Sequence, residues 1–205
     1  MSVDTIRAVI HRRRTINPKC FTDAPVSDAV LQDLLAAAHM APNHKHTEPW
    51  RFRVYRGDAR AALGDALAEA YTQVTPPDAF KQKKVDKLRT VPRIAAATIS
   101  IGMARDPEAR VPEVEEIEAV ACAVQNMHLL ATAHGLGAKW SSPAFLYSGV
   151  MNSFFELGPD DRALGLFYVG HTDIEWPEAR RGPLDACVTW VDAPADLAGN
   201  GSSGG

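Results

Sequence analysis

The stretch from Glu113 to His134 constrains this chain more than any other. It opens on Glu113, Glu115 and Glu116, acids that suit the positive end of a helix. From Ala119 to Ala133 it is apolar nearly all round, the mark of a helix enclosed by protein. At 1.5 Å per residue it spans roughly 33 Å, enough to cross a domain. Gln125, Asn126 and His128 interrupt it and argue against a membrane span, and Gly135 is the expected C-cap. The rest of the chain must therefore supply a wrapping for one long buried rod.

The flanking periodicities supply it. Residues 3–14 read as a helix with Val3, Ile6, Val9 and Ile10 on one face. Ser27 is placed to N-cap a helix over 28–40 that buries Val30, Leu31, Leu34, Leu35 and Ala38. Residues 51–56 alternate as a half-buried strand, and 58–73 read as an amphipathic helix. Thr75-Pro76-Pro77-Asp78 breaks that helix. Phe80 to Arg89 follows as a basic, exposed one whose Lys81, Lys83, Lys84 and Lys87 read as a solvated face, or as part of a cover over a site. Ile94 to Gly102 and Ala163 to Gly170 are charge-free and read as buried strands. Gly137 to Pro143 forms a short strand and turn before a helix at about 147–156. Ala186 to Val191 is either an edge strand or an arm reaching onto a second subunit. Helices alternating with a few buried strands predict α+β or α/β architecture, a sheet wrapped in helices. With no repeat and no linker, residues 1–198 read as one domain and 199–205, rich in Gly and Ser, as a disordered tail.

Composition removes several function classes. A net charge of −3 in 205 residues, with a pI near 6.2, gives no electrostatic reason to expect nucleic acid or an anionic membrane. The N-terminus lacks a signal h-region and no apolar run is long enough to span a bilayer, so a cytoplasmic location is expected. Cys20, Cys122 and Cys187 are odd in number and far apart, consistent with reduced thiols.

Chemistry concentrates in two places. Arg12-Arg13-Arg14-Thr15 closes the first helix. It is either a solvated cationic helix end or an anchor for a cofactor phosphate. The second place is Ala41-Pro42-Asn43-His44-Lys45-His46-Thr47-Glu48-Pro49-Trp50, a polar elbow held between two prolines, where binding residues tend to sit. Catalytic signatures such as G-x-S-x-G, a P-loop or H-E-x-x-H are missing. Gly135-Leu136-Gly137 ends a helix and so is no dinucleotide fingerprint, and no metal site is expected from His44 and His46. His128 and His134 read as satisfied core or rim histidines. An arginine cluster, a polar elbow and a Trp140-Ser141-Ser142 turn together suit a flat, anionic cofactor.

Four landmarks stand in order: Arg13-Arg14-Thr15, Ala41 to Lys45 with Pro49-Trp50-Arg51-Phe52, Gly135-Leu136-Gly137 before Trp140-Ser141-Ser142, and Gly165 to Gly170. In these the chain resembles the flavin-dependent nitroreductase family over about residues 3–191, its compact bacterial branch in particular. The resemblance implies an α+β fold with a mixed sheet flanked by helices. It also implies an intertwined homodimer whose two FMN sites draw on both subunits. By the same resemblance Arg13, Arg14 and Thr15 would hold the FMN phosphate and ribityl chain. Met40, His44 and Lys45 would lie at the flavin, with Lys45 a stabiliser of its N1–O2 edge. Trp140, Ser141 and Ser142 would touch it from the other side. Leu130, Ala131, Thr132, Ala133, His134 and Gly135 match the part associated with the nicotinamide donor. The second arginine common in the family is missing, so Lys19, or Arg180 and Arg181, would replace it. His46 and Glu48 stand where Asn and Gln are usual. The activity implied is ping-pong hydride transfer from NADH or NADPH to a nitroaromatic, quinone or related acceptor. The rivals are a non-turnover flavin carrier or sensor, and a specialised dehydrogenase or dehalogenase on the same scaffold.

Overall fold

In the computed structural model, which describes residues 2–192, six helices flank one sheet of four strands. They are α1 (Val3–Arg12), α2 (Asp28–His39), β1 (Trp50–Tyr55), α3 (Ala59–Val74), α4 (Gln82–Ile94), β2 (Ala97–Met103), α5 (Glu113–Ala133), β3 (Gly137–Ser141), α6 (Gly149–Phe154) and β4 (Arg162–Gly170). The four strands run in the order β1-β2-β4-β3, and every neighbouring pair is antiparallel. Outside β3 the chain adds one further bridge, Thr15 to Ala138, and it is parallel. The mixed character expected of the sheet is confined, among the described residues, to that bridge. The class is α+β, as expected.

Alternation along the strands builds two cores. Phe167 and Val169 of β4 join Ile99 and Ile101 of β2 against α2 and α5, with Leu34 and Met127 fully buried between them. Leu166 and Tyr168 face the other way, onto Leu63, Leu67 and Tyr71 of α3 and Phe145 beyond β3. β2 is buried on both faces along its whole length, which is why it carries no charge. Gly64 lets α3 and α4 touch, since a Cβ there would stand 2.6 Å from the Arg89 carbonyl oxygen.

Two boundaries differ from expectation. β2 starts at Ala97, because α4 continues through Pro92 to Ile94. The Arg60 guanidinium donates to the carbonyls of Arg93 (3.1 Å) and Ala95 (2.6 Å), satisfying acceptors that the helix end leaves open. No strand forms over residues 186–191; a short 3₁₀ turn, Leu184–Ala186, is followed by extended, exposed chain. The edge-strand reading therefore fails. The expected tail 199–205, and the last residues of the expected domain, lie outside the described residues.

Three apolar surfaces are bare in one chain. α1 buries no residue, and its apolar face shows Val3, Ile6 and Ile10 to solvent. α5 is enclosed on one side only: Val114, Cys122 and Gln125 are exposed, which corrects the expectation of a rod wrapped all round. On the arm, Trp190 is 81% exposed. Exposed apolar surfaces of this kind mark places where a partner packs.

Candidate functional site

The arginine corner is assembled by hydrogen bonds rather than by charge pairs. Beyond α1 the chain lies along β3: Ile16 N donates to the Ala138 carbonyl (2.9 Å), and Ile16 and Pro18 are buried while Thr15 and Asn17 face outward. The segment after β4 then folds back over it. Arg14 Nε donates to the Pro177 carbonyl and Nη1 to the His11 carbonyl, both at 2.7 Å. Trp176 Nε1 donates to the Arg12 carbonyl, and the Arg12 guanidinium lies over the Trp176 ring, 5.3 Å from its centroid. This return brings Arg180 and Arg181 to Arg13, Arg14 and Thr15 around a concavity of about 580 Å³, with Glu178 also on its wall. Lys19 is exposed and is absent from this lining, so Arg180 and Arg181 are the added cations.

No carboxylate pairs with any of these four guanidiniums among the described residues. Burial, and then the charges of Arg181 and Arg14, lower the pKa of Arg13 from its ordinary value. Arg13 Nη1 instead donates to Nδ1 of His128 at 3.2 Å. Because a guanidinium only donates, His128 must carry its proton on Nε2. That Nε2 is buried and has no partner, and the ring stands edge-on against Phe167 at 5.3 Å. Burial foremost, aided by Arg13 and opposed by the Ala138 backbone, pushes His128 down to about 4. Sequence reasoning took His128 as a satisfied core histidine. It is in the core, but it buttresses an arginine of the corner, and its distance from Arg13 in sequence left no signal of that.

The elbow sits elsewhere and is held in strain. Lys45, His46 and Glu48 have φ of 52°, 54° and 44°, a region that costs a side-chain-bearing residue about 1–2 kcal/mol. Asn43 Oδ1 accepts from Glu48 N (3.1 Å), His44 Nδ1 meets Glu115 Oε2 (2.6 Å), and Lys45 Nζ donates to the Arg110 carbonyl (3.1 Å). Met40 beside it is 78% exposed. Such over-determined backbone strain gathers at functional loops.

Helix α5 serves as a ruler between the two places. Glu115 holds the elbow and His128 holds Arg13, about thirteen residues or roughly 20 Å apart along the axis. The sheet register agrees: Trp50 pairs with Met103 at one end of the outer strand β1, whereas Thr15 flanks Ala138, in the row of Val169 and Ala97, beyond the opposite edge. Elbow and arginines stand at diagonal corners of one chain.

Between them runs the β3 edge. Trp140 Nε1 donates to the Leu164 carbonyl at 3.1 Å. Gly165 allows this approach, since at φ 139° a Cβ there would meet Trp140 Nε1 at 2.6 Å. Ser141 is half-buried and Ser142 exposed. Ser141 lines a second concavity of about 490 Å³ with Asn17, Lys139, Lys81 and the α4 lysines Lys83, Lys84 and Lys87. Lys81, Lys83, Lys84 and Lys87 are exposed, as a solvated face is, and they also line this cavity, where Lys139 meets α4. Of the stretch 130–135, Ala131 and Thr132 are buried, leaving Leu130 half-buried and Ala133, His134 and Gly135 at the surface. His134 Nε2 is 2.8 Å from Asp33 Oδ2.

The chain is an α+β protein with a bare apolar flank and a cation-lined concavity at one sheet edge. Comparison with known proteins gives the family. The model of the nitroreductase family matches residues 10–171, and the chain belongs to that family, one of FMN-dependent oxidoreductases. It is 30% identical over 177 residues to YfhC of Bacillus subtilis, described as a candidate NAD(P)H nitroreductase, covering 86% of this chain and 88% of that one. Among solved structures, a nitroreductase-like family protein from Bacillus cereus superposes with a TM-score of 0.79 at 30% identity, covering 94% of this chain and 99% of the other. One from Desulfovibrio desulfuricans, determined in complex with FMN, gives 0.71 at 26% identity over 94% and 100% of the two chains.

Proposed function

We propose that the chain is an FMN-dependent NAD(P)H oxidoreductase acting as a homodimer, each site built from the arginine corner of one copy and the elbow of the other. The single observation that carries this is the roughly 20 Å of α5 between Arg13 and the elbow. One bound cofactor does not meet both within a chain, while two-fold pairing through α1, the open side of α5 and the arm brings them together. FMN fits the residues present. The charges of Arg181 and Arg14 act against that of Arg13, none of the four guanidiniums pairs with a carboxylate among the described residues, and such a corner suits a phosphate dianion, with the Thr15 hydroxyl beside it. From there the β3 edge leads past Trp140, Ser141 and Ser142 to Asn17, Lys87 and Lys139.

When bound, FMN supplies a ring that takes two electrons from NADH or NADPH and passes them on. The chain's own groups position and polarise. Arg13, Arg14, Arg180 and Arg181 fix the anionic end. Lys45 of the second copy would stabilise the negative charge that develops at the ring's N1–O2 edge, and Lys87 and Lys139 would add positive charge to the cavity that holds it. No side chain acts as a nucleophile. Donor and acceptor use one slot in turn, and for a nitroaromatic the balance is ArNO₂ + NADPH + H⁺ → ArNO + NADP⁺ + H₂O. The surface at Ala133, His134 and Gly135 is the candidate contact for the donor. No helix is long and apolar enough to cross a membrane, and three free cysteines suit the reducing cytoplasm.

The purified protein should be yellow, bleach under anaerobic NADPH or NADH, and regain colour on adding a nitroaromatic or quinone. Protein that takes up no FMN contradicts the proposal. Bound FMN that neither donor bleaches would make this a flavin carrier or sensor.

A further inference from the structure

Beside the concavity lined by Asn17 and Ser141 lies another of about 610 Å³, and the two share Lys81, Lys84 and Phe145. Its floor is aromatic. Tyr71 packs edge-on to Phe145 at 5.9 Å, and Tyr147, 54% exposed, lines the mouth. Its cations are positioned. Lys84 Nζ stands 4.9 Å from the Tyr71 ring centroid and 5.8 Å from that of Phe145. The Tyr71 hydroxyl accepts from Lys81 N (3.1 Å) and donates to the Ala79 carbonyl (3.3 Å), which fixes the connection that carries Lys81 at the rim. Neither lysine pairs with a carboxylate among the described residues. The nearest acids in sequence, Asp78 and Asp86, line neither concavity, and Asp86 is engaged by Gln82 at 3.1 Å.

We infer that this trench is the acceptor subsite and that it selects flat aromatic molecules bearing a carboxylate. The inference rests on the FMN reading above. Tyr147 offers an aromatic ligand an exposed ring, above a buried floor in which Tyr71 stacks on Phe80 at 5.8 Å and meets Phe145 edge-on. Two unpaired ammoniums at one end offer a carboxylate charge-assisted bonds that a neutral ligand does not make. Lys84 is the stronger selector, because its place over two rings sets its direction before the ligand arrives.

The test uses the FMN-loaded protein and two near-isosteric pairs, 4-nitrobenzoate with 4-nitrobenzamide and benzoate with benzamide. The wild type should show a higher kcat/KM for the nitrobenzoate, and calorimetric titration should show tighter binding of benzoate than of benzamide. In Lys84→Met the ratio of kcat/KM, acid over amide, should fall about tenfold, the size of a lost charged hydrogen bond. Lys81→Met should lower it less, and Lys84→Arg should keep most of it. Stopped-flow reduction by NADPH in the same preparations separates the two layers. A wild type that binds no FMN, or whose flavin stays oxidised, defeats the proposed function itself. Normal reduction with an acid-to-amide ratio near one, or a ratio indifferent to Lys81 and Lys84, overturns the subsite alone. So does a loss confined to reduction by NADPH, which would assign the lysines to the donor.

Discussion

The arginine corner and the elbow are both fixed in advance, by opposite means. At the corner the backbone is relaxed and the strain is electrostatic: four cations crowd one concavity, and Arg13 leans on a neutral histidine. At the elbow the side chains are tied down, His44 to Glu115 and Lys45 to the Arg110 carbonyl, and the strain lies in three left-handed residues. A pocket that repels itself is ready for an anion within its own chain. A loop satisfied within its own chain but strained in shape is formed for something outside it. The contrast points to two half-sites that meet only when two copies do.

The largest effect should come from keeping the copies apart. Ile6→Asp with Ile10→Asp places charge on the exposed face of α1 without touching a buried residue. The protein should sediment as a folded monomer, with FMN affinity lower by about a hundredfold or more, since half of each site is lost and a charge pair cannot be desolvated there. A monomer that keeps FMN would break the comparison. Next, Arg13→Ala or Arg14→Ala should each weaken FMN by about 1.5–3 kcal/mol in a fluorescence titration, with the dimer intact.

A third prediction concerns acid. His128 is neutral when folded, and its folded pKa of about 4 lies below the ordinary 6.5. Between those values the unfolded chain binds more protons, so stability is full above about pH 6.5 and falls as pH drops through 4, by up to roughly 3 kcal/mol. Urea melts across that window should show the fall. His128→Gln, whose carbonyl also accepts from Arg13, should flatten it. The smallest effect belongs to Glu115→Gln. The His44–Glu115 pair is about half exposed, so its loss should lower FMN affinity by no more than about fivefold, a cost of under 1 kcal/mol.

What could be read in the sequence followed patterning. The charge-free runs marked β2 and β4, and acids before an apolar rod marked α5, because burial on both faces leaves no room for charge. The β2 boundary was missed because α4 runs on through Pro92, and the carbonyls left open where it ends, those of Arg93 and Ala95, are satisfied by Arg60 from another helix. α5 proved half open because its apolar residues were counted without knowing that a single chain covers only one side. At the site, Arg13, Arg14 and the elbow stood out by composition. The docking of Arg180 and Arg181 depends on Arg14 reaching the Pro177 carbonyl, a contact that no spacing reveals. The left-handed φ of Lys45, His46 and Glu48 was equally hidden, since none is glycine. The tie of His128 to Arg13, and the meeting of the lysine run with Lys139 in one concavity, emerged only with the fold.

The account turns on whether one cofactor is gripped by two chains, and mixed dimers measure that directly. A copy carrying Arg13→Ala and Arg14→Ala is co-expressed with a copy carrying His44→Glu and Lys45→Glu, each with its own affinity tag, and the doubly tagged dimer is assayed for bound FMN. Each variant alone should be nearly colourless. The hybrid should hold close to one FMN per dimer, because one of its two sites joins an intact arginine corner to an intact elbow. A hybrid as colourless as its parents would contradict the shared site, since corner and elbow would then have to belong to the same chain.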